Sequence, residues 1–113
     1  MSNLSPSAGA RFRTALANEK PLQIVGTINA YMALMAERSG FKALYLSGAG
    51  VANASYGLPD LGMTSMNDVL IDAERITAAT QVPLLVDIDT GWGGAFNIAR
   101  TVRAFERGGV AAV

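Results

Sequence analysis

Asp87 and Asp89 are the residues best placed to do chemistry in this sequence. They lie in the stretch Val82-Pro83-Leu84-Leu85-Val86-Asp87-Ile88-Asp89-Thr90-Gly91-Trp92-Gly93-Gly94. It begins as an apolar run, the pattern of a buried parallel strand. Side chains alternate along a strand, so Leu85, Asp87 and Asp89 are expected on one face, and Leu84, Val86 and Ile88 on the packing face. Two carboxylates at the end of a buried strand repel each other and lose hydration; unpaired, each costs several kcal/mol or takes up a proton. A hard divalent cation relieves both problems. Mg²⁺ prefers oxygen ligands, typically one or two carboxylates completed by waters and substrate oxygens. The glycine run that follows lets a ligand approach the backbone closely. The alternative is that Asp87 caps a turn and Asp89 is solvated at a strand end.

The elements that must hold this pair follow a plain alternation. Ser5-Pro6 reads as an N-cap with proline at the first helical position, opening a helix over about 7–18 with Phe12 and Leu16 on one face. Residues 22–27 read as a strand, 29–39 as a helix ended by Gly40, and 42–48 as a second strand. On that strand Leu44 and Leu46 face the helices, while Ala43, Tyr45 and Ser47 share the face of the acidic pair. Gly48-Ala49-Gly50 opens a long loop running to Met63. Ser65 with Asp68 three residues on makes a capping-box-like start to a helix reaching about Thr80, with Val69, Ala73 and Ile76 on one face. After the acidic strand, Ala95, Ile98, Ala99, Val102 and Phe105 form an amphipathic stripe that stops at Gly108-Gly109. Val110–Val113 begins a further strand.

Strands alternating with helices imply parallel pairing and right-handed crossovers. Two architectures fit: a doubly wound sheet, or the first half of a (β/α)₈ barrel. Val110–Val113 is followed by no turn, cap or polar terminus, and a whole barrel needs about 200 residues or more. The expectation is therefore an α/β fold, the N-terminal half of a TIM-type barrel, in a single partial domain over 1–113 that stops in its fourth strand. Its polar strand ends would lie at the C-terminal rim, where barrel enzymes keep their sites.

Composition narrows the chemistry. The 113 residues are 50% hydrophobic and 16% charged, with zero formal net charge, which argues for a buried core and against disorder. The basic residues are scattered, so neither nucleic acid nor an anionic membrane is an expected partner. No apolar run of about 18 residues is present, so no transmembrane helix is expected. Met1–Pro6 lacks the basic and apolar regions of a signal peptide, which points to a cytoplasmic protein. Cysteine and histidine are absent. That excludes disulfides, thiolate zinc sites, cysteine nucleophiles and Ser-His-Asp triads within this chain.

Other motifs carry less. Gly48-Ala49-Gly50-Val51-Ala52-Asn53 nearly matches a dinucleotide fingerprint, but it lacks the third small residue, a direct passage into a helix and a following acid. Ser47, Gly48 and Ala49 could instead offer a hydroxyl and backbone N–H groups to a carboxylate or phosphate; a simple βα turn is the alternative. Tyr45, in phase with Ser47, is a rim-facing phenol or a core residue. Asp60 after Pro59 is an acid in a loop, where turn chemistry alone favours Asp. Trp92 is a packing residue or a pocket wall, and the methionines read as core filler.

Taken together, Gly26-Thr27-Ile28-Asn29-Ala30, Tyr45-Leu46-Ser47-Gly48, Gly57-Leu58-Pro59-Asp60, Val86–Gly93 and Phe96–Val102 resemble the isocitrate lyase/phosphoenolpyruvate mutase superfamily, and within it the 2-methylisocitrate lyase family. The resemblance runs from about Ser5 to Val113. It implies a Mg²⁺-dependent retro-aldol cleavage of a small tricarboxylate, 2-methylisocitrate, to pyruvate and succinate, as in propionate catabolism. It further implies Asp87 and Asp89 as metal ligands, Ser47, Gly48 and Ala49 as the substrate-carboxylate loop, and Tyr45 and Asp60 as catalytic residues. A homo-oligomer, a tetramer in the family, is implied for the full-length protein. Ala49 departs mildly from the glycine common in the family. The family's loop carrying Lys, Cys and His follows the fourth strand. Cleavage leaves a second carbanion-like centre on the succinate half, and an efficient general acid needs a pKa near the working pH. A tyrosine titrating near about 10 is a poor donor. The expectation is that the gene product continues past Val113 and that the 113-residue chain alone is inactive. The alternatives are an oxaloacetate decarboxylase or phosphoenolpyruvate mutase-like enzyme of the same superfamily, and a non-catalytic anion-binding module of flavodoxin-like architecture.

Overall fold

Three short strands form the platform on which the acids stand: β1 (Ile24–Gly26), β2 (Ala43–Leu46) and β3 (Leu84–Val86). This computed structural model describes residues 5–113. Helix α1 (Ala8–Asn18) precedes the sheet, and α2 (Ala30–Arg38) links β1 to β2. A helical turn α3 (Gly48–Gly50), a π-turn (Val51–Ser55) and α4 (Met66–Ala79) link β2 to β3, and α5 (Ala95–Arg107) follows. Among the described residues no helix is long and apolar enough to cross a membrane. The reading of Met1–Pro6 for targeting rests partly on residues 1–4, which lie outside the described residues.

All pairing is parallel and the sheet order is β1-β2-β3. A flavodoxin-like sheet places its first strand between the second and third. The other doubly wound order, 3-2-1-4, would set the fourth strand beside β1; here it joins β3 through Leu85 and Ala112, so strand order follows chain order, the barrel pattern, and the doubly wound alternative does not describe this chain. The fourth strand is reduced to one parallel bridge, Leu85 with Ala112. Its hydrogen bonds are Ala111 N–H to Leu84 C=O at 2.9 Å and Val86 N–H to the Ala112 carbonyl at 3.0 Å.

Register fixes the two faces. Leu44 stands beside Val25 on one side and Leu84 on the other, and Leu46 beside Val86. Leu44, Leu46, Leu84 and Val86 are buried under α2, α4 and α5, together with Ala33, Val69, Ala73, Ile76 and Phe105. Each fully buried Leu or Phe contributes about 1.5–3 kcal/mol. The opposite face carries Gly26, Tyr45 and Leu85 in one row across the sheet.

Local signals place most helix starts. Asn29 caps α2 by accepting from Met32 N–H at 2.9 Å. Ser65 and Asp68 form a complete capping box on α4. Gly40 follows α2 at φ 93°, a backbone conformation glycine adopts without steric cost. Helix α1 differs from expectation: Ser7, not Ser5, is its N-cap, accepting from Ala10 N–H at 3.1 Å. The Pro6 carbonyl is taken by the Arg11 guanidinium at 2.8 Å, which leaves Pro6 outside the helix. Ala15, rather than Leu16, is the buried residue of α1, and Leu16 is 49% exposed. The stripe on α5 is likewise only half used. Thr101 and Phe105 are buried, while Ile98 and Val102 stay exposed.

Candidate active site at the strand ends

Asp87 directly follows β3, and its N–H still pairs with the Leu46 carbonyl at 3.0 Å. The regular strand ends there. Asp89 has φ 50°, so its side chain is not placed by strand alternation, contrary to the expectation of a shared strand face. Its N–H instead donates to Asp87 Oδ1 at 2.9 Å. Asp87 thus does cap a turn, and across that turn the second carboxyl stays within electrostatic reach of the first. Asp and Asn tolerate the left-handed region better than other side chains, since their short polar groups bond locally.

The turn is held from below. Gly91 at φ 92° presents its carbonyl to the buried Thr101 hydroxyl at 2.8 Å. A Cβ at Gly91 would stand 2.8 Å from Ile98 Cγ1, so no larger residue fits without movement. Trp92 stacks on Phe105 with ring centroids 6.0 Å apart and donates Nε1–H to the Thr64 carbonyl at 3.3 Å. It is a packing residue that also ties the β3 turn to the segment preceding α4.

Four candidate residues converge. Burial pushes the Tyr45 phenol above its ordinary pKa, and the facing Asp87 carboxylate, within hydrogen-bonding reach, pushes it the same way, with a smaller push from Asp89. Burial also raises the Asp89 carboxyl, followed by repulsion from Asp87 and then from Asp60. Tyr45, Asp60, Asp87 and Asp89 therefore share one electrostatic neighbourhood at the C-terminal end of the sheet. The rise at Asp89 comes first from lost hydration and then from the like charges beside it. Among the described residues no set of three carboxylate, histidine or cysteine ligands closes on one point. A pair of acids with room for water and substrate oxygens is the donor set that suits Mg²⁺, so these residues fit that ion.

Ser47 Oγ accepts from Gly50 N–H at 3.3 Å, so Ser47 is the N-cap of α3. Gly48 lies against Asp87; a Cβ there would stand 3.7 Å from Asp87 Oδ2. The segment after Ser47 is helical, not the open loop expected. Val51 and Ala52 are buried, and the chain turns inward through Gly50, where a Cβ would meet Ile28 Cγ2 at 2.7 Å. The direct passage into a helix that the dinucleotide fingerprint requires is thus present, but Asn53 still stands where its third small residue belongs.

The sequence reading passed over Asp72. It sits on the apolar stripe of α4, is buried, accepts from Ser55 Oγ at 2.6 Å and pairs with Arg75 at 3.6 Å. Its signal is spacing: an acid in phase with Val69 and Ile76 on a face that should be apolar.

A parallel sheet in chain order, helices on one face, and acids gathered at the strand C-termini define the first strands of a (β/α)₈ barrel with its site at the usual rim. The chain belongs to the phosphoenolpyruvate phosphomutase family, whose model matches residues 12–113. It is 83% identical over 110 residues to a 2-methylisocitrate lyase of Shewanella oneidensis, covering 97% of this chain and 38% of that protein. It is 58% identical over 106 residues to the 2-methylisocitrate lyase of Escherichia coli, covering 93% of this chain and 36% of that protein. Among solved structures, 2,3-dimethylmalate lyase, a member of the PEP mutase/isocitrate lyase superfamily, superposes with TM-score 0.84 at 36% identity, covering 96% of this chain and 39% of that one. A phosphonopyruvate hydrolase solved with oxalate and Mg²⁺ superposes with TM-score 0.78 at 32% identity, covering 93% of this chain and 37% of that one. The chain thus spans less than two fifths of the length of these relatives.

Proposed function

We propose that this chain is the N-terminal part of a barrel enzyme that cleaves 2-methylisocitrate to pyruvate and succinate with Mg²⁺, its residues 1–113 forming a single partial domain. The observation that carries the reading is the gathering of Tyr45, Asp60, Asp87 and Asp89 at one end of the sheet. Asp87 and Asp89 would hold the ion; it would supply positive charge opposite the oxygens of a 2-hydroxy or 2-keto acid. The Asp87–Asp89 turn would hold the two carboxylates near each other before any ligand arrives, leaving less ordering for binding. Ser47, with the N–H groups of Gly48 and Ala49, would take a substrate carboxylate. The Ser47 hydroxyl accepts from Gly50, and its own proton remains to donate. Tyr45 would orient the reacting oxygens. With its pKa raised it holds its proton at neutral pH, which suits a hydrogen-bond donor and not a general acid. A donor for the succinate half would come from another part of the full-length protein. The choice of 2-methylisocitrate over other small acids rests on degree of identity, 83% to a relative of that name against 36% to a 2,3-dimethylmalate lyase. A cytoplasmic homo-oligomer, a tetramer, is the setting that this reading implies.

The test is Asp87→Asn and Asp89→Asn in the full natural length of the protein, assayed for pyruvate release while Mg²⁺ is varied. Both should lose at least about a hundredfold in turnover, the scale of losing a preorganised electrostatic partner. Both should keep the parent circular-dichroism spectrum. Near-normal turnover at limiting Mg²⁺ removes these acids from the metal site. Release from oxaloacetate or phosphonopyruvate, and none from 2-methylisocitrate, moves the enzyme to another branch of the superfamily.

A further inference from the structure

Asp72 does not reach the site, yet it is a buried carboxylate, and such groups are costly unless fully partnered. Its partners are informative. Arg75, one turn along on the same helix, gives only a long contact at 3.6 Å. The short one, 2.6 Å, comes from Ser55, the last residue of the π-turn. Single π-turns are rare and concentrate at functional sites, where they re-aim the chain. This one leads straight into Tyr56-Gly57-Leu58-Pro59-Asp60.

That segment is pinned in several places. Leu58 N–H donates back to the Ala52 carbonyl at 2.8 Å, closing the turn on itself. The Tyr56 phenol faces the Asp68 carboxyl of α4 closely enough that each shifts the other's pKa. At the far end, Trp92 holds the Thr64 carbonyl. Between these pins Gly57 and Gly62 take φ of 65° and 70°, and Asp60 stands exposed on the span. Nothing in the span is regular structure, so its shape comes from its anchors. The one anchor that places a charged acceptor in a buried position is Asp72.

We infer that the Ser55–Asp72 hydrogen bond is a latch that fixes the Asp60-bearing segment over the strand ends, making Ser55 and Asp72 positioning residues for that acid. The inference rests on the proposed role of Asp60, and its physical half can be read without any assay of activity. Ser55 is largely solvent-exposed outside this contact, so its removal leaves the core intact.

The experiment uses Ser55→Ala and Ser55→Thr in the full natural length of the protein, each alone and combined with Asp60→Asn. Amide exchange is read first. Ser55→Ala should speed exchange across 56–61 by about tenfold, the worth of a hydrogen bond to a charged acceptor, and leave Val69–Ile76 unchanged. Ser55→Thr, which keeps the hydroxyl, should restore the parent rates. Unchanged exchange in 56–61 overturns the latch whatever the enzyme does. Turnover is read second. Ser55→Ala should lower kcat by about tenfold in the parent and by less than about twofold when Asp60 is already Asn, as coupled sites do. An equal loss in both backgrounds overturns the positioning role. Full activity of Asp60→Asn alone sinks the role of Asp60, and with it the positioning half of the inference, while exchange still decides the latch.

Discussion

Asp89 shows what a residue-scale pattern can and cannot say. Two acids at i, i+2 after an apolar run lead to the expectation of a shared strand face, and the two carboxyls do lie within electrostatic reach of each other. The means differ: the strand stops before Asp89, and a backbone N–H bond from Asp89 to Asp87 replaces alternation. Such a turn is a local choice between hydrogen bonds, which hydrophobic period does not encode. Tyr45 was legible, because β2 keeps its period through Leu46 and the phenol falls on the face opposite Leu44. Asp72 was not, because a stripe read only for apolar residues steps over the polar one. Ser47 caps α3 and, in the proposed role, offers its proton to substrate, and substitution separates the two. Ser47→Ala should raise the KM for substrate by about tenfold, the loss of one bond to a carboxylate, while the dependence on Mg²⁺ stays the same. Ser47→Thr should retain the cap and most of the binding. A KM in Ser47→Ala equal to the parent's would leave Ser47 with the cap alone.

At the scale of elements, the N-cap of α4 was readable to the residue, and the π-turn was invisible. A capping box is a short-range exchange between Ser65 and Asp68 written in adjacent sequence. The π-turn is instead flanked by contacts from elements distant in the chain, Gly50 against Ile28 and Ser55 bonded to Asp72. Glycines at 48 and 50 made the segment read as loop, while tertiary packing made it helical. The cap carries a pH dependence of definite sign. Hydrogen bonding from the Ser65 backbone, then from Tyr56, holds the Asp68 carboxyl below its ordinary value. A carboxyl depressed by folding adds stability above its unfolded pKa of about 3.9 and loses it as pH falls through the folded value. Thermal melts of the parent and of Asp68→Asn should therefore differ most at neutral pH and converge as the pH falls through the folded value of Asp68. A gap that is constant over that range would mean that the Asp68 charge plays no part in the cap.

At the scale of the molecule, the apolar face under the helices is well covered and the remaining surface is not. Phe96 is 95% exposed, Leu61 76%, Tyr31 71% and Met63 57%. The sheet also ends in open parallel edges, and edges with exposed apolar neighbours invite association. The 113-residue chain by itself should sediment above its 11.8 kDa monomer mass at micromolar concentration, with a melting temperature that depends on concentration. A single monomeric species with a concentration-independent two-state melt would contradict this. Sequence showed the β-α alternation at this scale but not the strand order, since pairing partners are fixed by packing and not by period. That order has a further consequence. Ile24 stands opposite Ala43, Leu44 opposite Leu84, and Leu85 opposite Ala112. Each pairing joins a strand to the one made just before it, and no later strand has to slip between two that are already joined. The structure grows as a queue does, by joining at the end. Synthesis from the N-terminus can therefore complete each pairing as its second strand emerges, and the strand that carries Tyr45 is laid down before either Asp87 or Asp89 is made.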